Sequence, residues 1–221
     1  MGSGDVIPEY LRQLGYNVRL LSDSDIDTMN LDQFDAIVMG VRAYNTRNRL
    51  SIDQLKLMNF VKDGGTLVVQ YNTSFDLVVD NIGPFPLTLS HDRITVEEAP
   101  ITFVNPALPL LNYPNKISRA DFEGWVQERG LYFANKWDPK YQAVFSGNDP
   151  GEEPLEGGML YADYGKGVYI YSGYSWFRQI PAGVRGAFRI FVNMISARQN
   201  ESKTRRYFHN KFCTPLTLIG C

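Results

Sequence analysis

Ala36-Ile37-Val38-Met39-Gly40 and Gly64-Gly65-Thr66-Leu67-Val68-Val69-Gln70 are the two stretches that decide how this chain folds. Each is a short apolar run without polar alternation, the pattern of a strand covered on both faces. Between them lies a helical pattern, with Ser51 as cap, Leu55, Met58, Phe60 and Val61 along one side, and Gly64-Gly65 as the stop. Upstream, Asp5 is placed to cap a helix carrying Ile7, Tyr10, Leu11 and Leu14, closed by Gly15, and Asn17 to Leu21 reads as a strand. Strands alternating with helices on short connections predict βαβ units and a parallel sheet. Right-handed crossovers then bring the loops after Met39 and Gln70 to one sheet edge, where open α/β sheets bind ligands.

Downstream the character changes. Residues 83–115 carry Pro84, Pro86, Pro100, Pro106, Pro109 and Pro114, which predicts an extended surface course with one strand candidate at Arg93 to Val96. Gln142 to Phe145, Met159 to Asp163 and Val168 to Ser172 read as strands, the last two joined in a hairpin through Tyr164-Gly165-Lys166-Gly167. Val184 to Ala197 is an amphipathic helix burying Phe188, Phe191, Val192 and Ile195. Beyond Arg198 the periodicity stops. A basic stretch (Lys203, Arg205, Arg206, Lys211) leads to the apolar Thr214 to Cys221, read as a tail that docks or dangles. The expected organisation is one α/β domain over 1–197 and a tail over 198–221.

Composition sets the remaining bounds. With 221 residues, 44% hydrophobic and 21% charged, the chain is ordinary for a globular protein and long enough for a single core. A net charge of −2 provides no field to gather nucleic acid or anionic lipid. No run reaches the roughly 20 apolar residues of a membrane span, and no secretion signal opens the sequence, so a chain free in aqueous solution is expected. The two cysteines, Cys213 and Cys221, both fall in the tail and indicate neither a disulfide framework nor a zinc site.

Four stretches together resemble a known family. They are Ala36 to Thr46 (AIVMGVRAYNT), Gly64 to Asn72 (GGTLVVQYN), Asp121 to Phe133 (DFEGWVQERGLYF), and Tyr164 to Gly167 with Phe177 to Gly183 (YGKG, FRQIPAG). They look like the class I glutamine-amidotransferase-like domain appended to bacterial LmbE-like (PIG-L family) N-acetylglucosamine deacetylases, and more distantly like ThuA-like proteins. The likeness spans about residues 2 to 197. It implies a flavodoxin-like, doubly wound, mostly parallel sheet with helices on both faces, followed by a C-terminal β-hairpin and helix. The family domain opens with a strand before its Gly-Ser-Gly-Asp-like loop; here that loop is Gly2 to Asp5, so the first strand is expected to be missing and Met1 to be an internal methionine. The deacetylase half, with its His-Pro-Asp-Asp zinc motif, is absent from this sequence, whose only histidines are His91 and His209.

Working amidotransferases of this superfamily place a cysteine on the elbow after the strand corresponding to Thr66 to Gln70. Here the elbow reads Tyr71-Asn72-Thr73-Ser74 and offers no thiol. The resemblance therefore implies a pseudoenzyme, a non-catalytic binding or accessory module without cofactor or metal, whose partner is a deacetylase domain or protein and whose ligand is a sugar. Candidate lining residues are Arg42 and Asn45 after one strand, Gln70, Tyr71 and Asn72 after its neighbour, Trp125, Glu128 and Arg129 from the third stretch, and Arg178 and Gln179 from the fourth. Each has a plainer reading: Arg42 as a pin between loops, Asn72 and Thr73 as turn residues satisfying backbone groups, the tryptophans as core. A divergent hydrolase using His91 or a carboxylate, and a truncated product with no role of its own, are the alternatives. The Gly2-Ser3-Gly4 loop lacks the rest of a phosphate-binding fingerprint, and His209 with Cys213 makes only half a metal site. An open sheet edge left by the missing strand would favour a homodimer.

Overall fold

The computed structural model describes residues 6–198 and the backbone of 216–219. The expected Asp5 cap, the Gly2-Ser3-Gly4 loop, the basic stretch from Lys203 to Lys211, His209 and both cysteines lie outside the described residues. Elements run α1 (Ile7–Gln13), β1 (Val18–Leu20), α2 (Asp23–Thr28), β2 (Ala36–Met39), α3 (Ala43–Thr46), α4 (Leu50–Asp63), β3 (Thr66–Gln70), β4 (Leu87–Leu89), β5 (Ile101–Phe103) and β6 (Ala134–Trp137). They continue with β7 (Gln142–Ala143), β8 (Phe145–Gly147), β9 (Met159–Tyr164), β10 (Gly167–Ser172), α5 (Trp176–Gln179), α6 (Arg185–Ile195) and β11 (Leu216–Ile219).

The chain is a mixed α/β structure on a mostly parallel sheet. Strand order is β1-β11-β2-β3-β10-β9-β7; the first five strands are mutually parallel, β9 runs antiparallel to them, and β7 pairs antiparallel with β9. Successive residues of β2 and β3 point to opposite faces, as a pleated strand requires. Ile37, Met39, Leu67 and Val69 pack with Ile26 of α2 and Leu57, Phe60 and Val61 of α4. Ala36, Val38 and Val68 pack with Ile7 and Leu11 of α1 and Ile190, Phe191 and Met194 of α6. Both runs are buried throughout, which is why they show no alternation in sequence.

Several local expectations change. Helix α4 begins at Leu50, with Arg49 rather than Ser51 in the capping position, and the Ser51 hydroxyl donates to Asn48 O at 2.8 Å. Its buried stripe runs through Leu50, Asp53, Leu57, Phe60 and Val61. Leu55, two residues from Leu57 and so on the far side of a 3.6-residue turn, is 71% exposed. Arg93 to Val96 is not a strand. The amides of Thr95 and Val96 donate instead to the Asp149 carboxylate, and only Ile94 bridges to Gly130. Gln142 to Phe145 divides at the buried Val144: β7 pairs with β9, whereas β8 pairs with β5. The proline-rich segment is likewise tied down, since β4 pairs with β6 and β5 with β8.

The hairpin forms as expected, its two-residue tip being Gly165-Lys166 with Gly165 at φ +63°. Within the stretch read as a tail, β11 lies between β1 and β2: Thr217 is level with Arg19 on one side and Ile37 on the other. The place beside β2 is thus filled from the far end of the sequence.

Candidate functional site

Strands β2, β3 and β10 run parallel, so their carboxyl ends, Met39, Gln70 and Ser172, deliver three loops to one edge. The first two loops are fastened to each other. Arg42 N donates to Tyr71 O at 2.7 Å, Tyr44 N to Asn72 Oδ1 at 2.9 Å, and Thr73 N to Asn45 Oδ1 at 2.9 Å. Asn72 Nδ2 returns to Gln70 O and Asn45 Nδ2 to Phe75 O. The two asparagines thereby satisfy backbone groups where the strands stop, and Asn72 is fully buried. Gln70 is buried below them, its amide 3.4 Å from Met39 O. The Thr73 hydroxyl is committed to Phe75 O at 3.0 Å.

Three other sequence-expected residues form a support under the edge. Arg129, 3% exposed, donates to Ala99 O and Phe122 O and lies over the rings of Phe122 and Trp125. Burial pulls its pKa down to about 10, still well above neutrality, so it remains a cation neutralised by carbonyl dipoles. Trp125 is buried, donates to Asp121 O and packs against Phe122 and Trp176. Gln179 uses its amide on Val126 N, Val126 O and Glu128 O, holding α5 to the 126–128 segment.

What faces outward is a smaller set. Tyr71, immediately after β3, meets Tyr132 at 5.6 Å and Phe177 at 5.7 Å between ring centroids. Phe75 and His91 extend this aromatic surface, His91 lying 5.3 Å from Tyr132. Glu128 accepts from Ser175 Oγ at 2.9 Å and from Arg178 Nε at 2.6 Å, while Arg178 also reaches Gln127. The Tyr71 phenol is held above its usual pKa, first by partial burial and then by Tyr132 and Glu128, against the opposing pull of Arg42 and Arg178. It is therefore a neutral hydrogen-bond donor at physiological pH.

Arg42 holds a left-handed backbone, φ 58°, and its Nε is buried without a partner. A non-glycine residue there costs on the order of 1 kcal/mol, the kind of strain found where a side chain is aimed for a purpose. The edge presents aromatic faces, a guanidinium whose Nε is unpartnered, and a carboxylate–guanidinium pair, groups that can hold a ligand. Among the described residues, His91 makes ring contacts and no hydrogen bond to Thr73 or Ser74, and no group of three His, Cys, Asp or Glu side chains is placed to hold a metal.

Tyr132 and Phe75 were not legible as site residues. Tyr132 comes to the edge because it and Gln127 adopt left-handed conformations (φ 53° and 67°) in the loop that Gly130 lays against Tyr174. The only trace of this in sequence is Gly130 itself, where an added Cβ would stand 2.5 Å from Gly173 O.

No helix among the described residues is long and apolar enough to cross a membrane. No protein-family model matches the sequence, and no curated protein matches it. Solved structures do share the fold. "Cytoplasmic Protein STM3548 from Salmonella typhimurium" superposes with a TM-score of 0.54 at 15% identity, over 85% of this chain and 83% of that one. "Cytoplasmic Protein STM1381 from Salmonella typhimurium LT2" does so with 0.52 at 12% identity, over 88% and 86%. At such identities the likeness is one of architecture, and the chain is similar to both in its α/β fold.

Proposed function

We propose that this chain is a non-catalytic, amidotransferase-like module of flavodoxin-like, doubly wound type. In this reading it binds a small sugar-like ligand at the carboxyl edge of its sheet, in the service of an associated carbohydrate deacetylase. The observation that carries the reading is Tyr71 at the end of β3, flanked by Tyr132 and Phe177, with Arg42 and the Glu128–Arg178 pair around it. Aromatic faces stack on the apolar face of a pyranose ring while fixed donors and acceptors take its hydroxyls. The elbow where an amidotransferase needs its nucleophile holds instead a phenol and two side chains spent on backbone groups. A hydroxyl without an activating base is inert near neutral pH.

Calorimetric titration with N-acetylglucosamine and its short β-linked oligomers tests this. The expected result is saturable binding that Tyr71→Ala and Tyr132→Ala each weaken about tenfold, a loss of the ~1.4 kcal/mol typical of an aromatic contact, with melting temperatures little changed. Absence of binding at millimolar ligand, or ammonia released from glutamine, would refute the reading. Turnover of an acetylated sugar abolished by His91→Ala or Glu128→Gln would establish the hydrolase alternative.

A further inference from the structure

Backbone strain gathers at one place in this fold. Four non-glycine residues among those described hold a left-handed backbone: Arg42, Asp76, Gln127 and Tyr132. All four stand in the loops of the carboxyl edge. Arg42 follows β2, Asp76 follows Phe75 in the loop after β3, Gln127 meets Arg178, and Tyr132 meets Tyr71 and His91. Each conformation costs free energy that a glycine would avoid, and such residues cluster at ligand clamps and active sites.

Among the four, Arg42 carries the charge that decides what kind of ligand fits. The clasp between the two loops at this residue is made by its main chain, Arg42 N to Tyr71 O, which glycine or asparagine would supply with less strain. The side chain adds nothing to that clasp. Its Nε is enclosed without an acceptor, and among the described residues no hydrogen bond holds its guanidinium and no carboxylate, the exposed Asp76 included, lies at ion-pair distance. By contrast, Arg47, Arg49 and Arg189 pair with carboxylates, and Arg129 with carbonyls. Arg178, the other cation acting on the Tyr71 phenol, is taken up by Glu128 and Gln127. Glu128 and Arg178 neutralise each other, so Arg42 leaves one uncompensated positive charge beside Tyr71. A guanidinium presents paired donors that match two oxygens of a carboxylate or a phosphate.

We infer that the ligand of this edge is anionic: a sugar-sized ring bearing a carboxylate or a phosphate, which the terminal amino groups of Arg42 receive while the ring lies against Tyr71. The inference rests on the reading that the edge binds a sugar-like ligand, and adds the charge which that ligand carries. It also gives the strained backbone at residue 42 a purpose, since the turn sets an arginine where the loop alone would favour a glycine.

Calorimetric titration of the full chain with N-acetylglucosamine, glucuronate, N-acetylglucosamine 6-phosphate and inorganic phosphate tests it. The expected result is that at least one of the two charged sugars binds about tenfold or more tighter than the neutral one. A gain confined to one of them identifies whether Arg42 receives a carboxylate or a phosphate. On the unaltered protein that gain is expected to shrink as salt rises from about 20 to about 500 mM. Arg42→Asn removes the charge and keeps a residue that tolerates the left-handed turn, and is expected to bring the charged-to-neutral affinity ratio near one. Tyr71→Ala is expected to weaken charged and neutral sugars alike and so to preserve the ratio. A ratio near one in the unaltered protein overturns the anionic ligand and leaves the sugar reading standing, whereas no binding of any sugar removes both. Inorganic phosphate held as tightly as the sugar phosphate would show that the ring is not read, and an undiminished ratio in Arg42→Asn that another group receives the anion; either result also overturns the inference.

Discussion

Asp149 shows how much one carboxylate organises. Its two oxygens accept from Thr95 N, Thr95 Oγ1 and Val96 N at 2.6 to 3.0 Å, so a residue almost shielded from solvent fixes the start of the 95–103 segment. Burial alone would push its carboxyl up; the hydrogen bonds from Thr95 and Val96, with Arg93 nearby, outweigh that and hold it below its ordinary value. A depressed folded-state pKa means that the unfolded chain binds the proton more tightly. The stabilisation is complete above about pH 4, the unfolded carboxylate range, and is lost as pH falls through the folded value. Asp149→Asn, which keeps one acceptor and turns the other into a donor facing donors, is expected to lower stability by about 2 kcal/mol at pH 7 and to lose the acid-dependent part of the unfolding midpoint. Urea titrations at pH 7 and pH 3 measure both; an equal difference between variant and parent at the two pH values would contradict it. At this scale the sequence was a partial guide. Arg42, Tyr71, Glu128 and Arg178 could be read from their places after strands and in motifs, whereas the inward turn of Trp125, Arg129 and Gln179 depends on side-chain packing that spacing does not encode.

Among the elements, α6 meets the rest of the protein at an unusually close range. Gly186, in its first turn, brings the helix onto the 119–122 turn, where an added Cβ would sit 1.8 Å from Asp121 O. Arg189, one turn on, pairs with the Asp121 carboxylate at 2.7 Å. Helix propensity favours alanine over glycine by about 1 kcal/mol, yet here the obstacle is backbone and cannot rotate away. Gly186→Ala is therefore expected to destabilise by about 2–3 kcal/mol, against the sign that propensity gives; a raised melting temperature would refute the close approach. The elements most legible from sequence were those whose partners are local or whose burial is complete: β2, β3, the β9–β10 hairpin and α6. Those that escaped, β4, β5, β6 and β8, are three or four residues long and owe their existence to partners 40 to 50 residues away, which no periodicity announces. The false strand at Arg93 to Val96 has the same origin, since its amides go to a side chain from residue 149.

For the whole molecule, the sheet joins the two extremes of the sequence. The expected parallel α/β plan with helices packed against the sheet is present; that the run Thr214 to Cys221 supplies an interior strand was not readable, because a four-residue strand carries no sign of where it pairs. Thr217→Pro removes a ladder donor from the middle of that strand and is expected to lower global stability by 3 kcal/mol or more, measured by chemical denaturation. An unaltered unfolding curve would mean that these residues stand apart from the sheet. The same placement gives synthesis on the ribosome a particular order. β2 emerges early, but its neighbour on one side is translated roughly 180 residues later, a delay of about ten to forty seconds at ordinary elongation rates. Throughout that interval a wholly apolar strand has one unmatched flank, and the sheet cannot close on that side until residues 216–219 have been made.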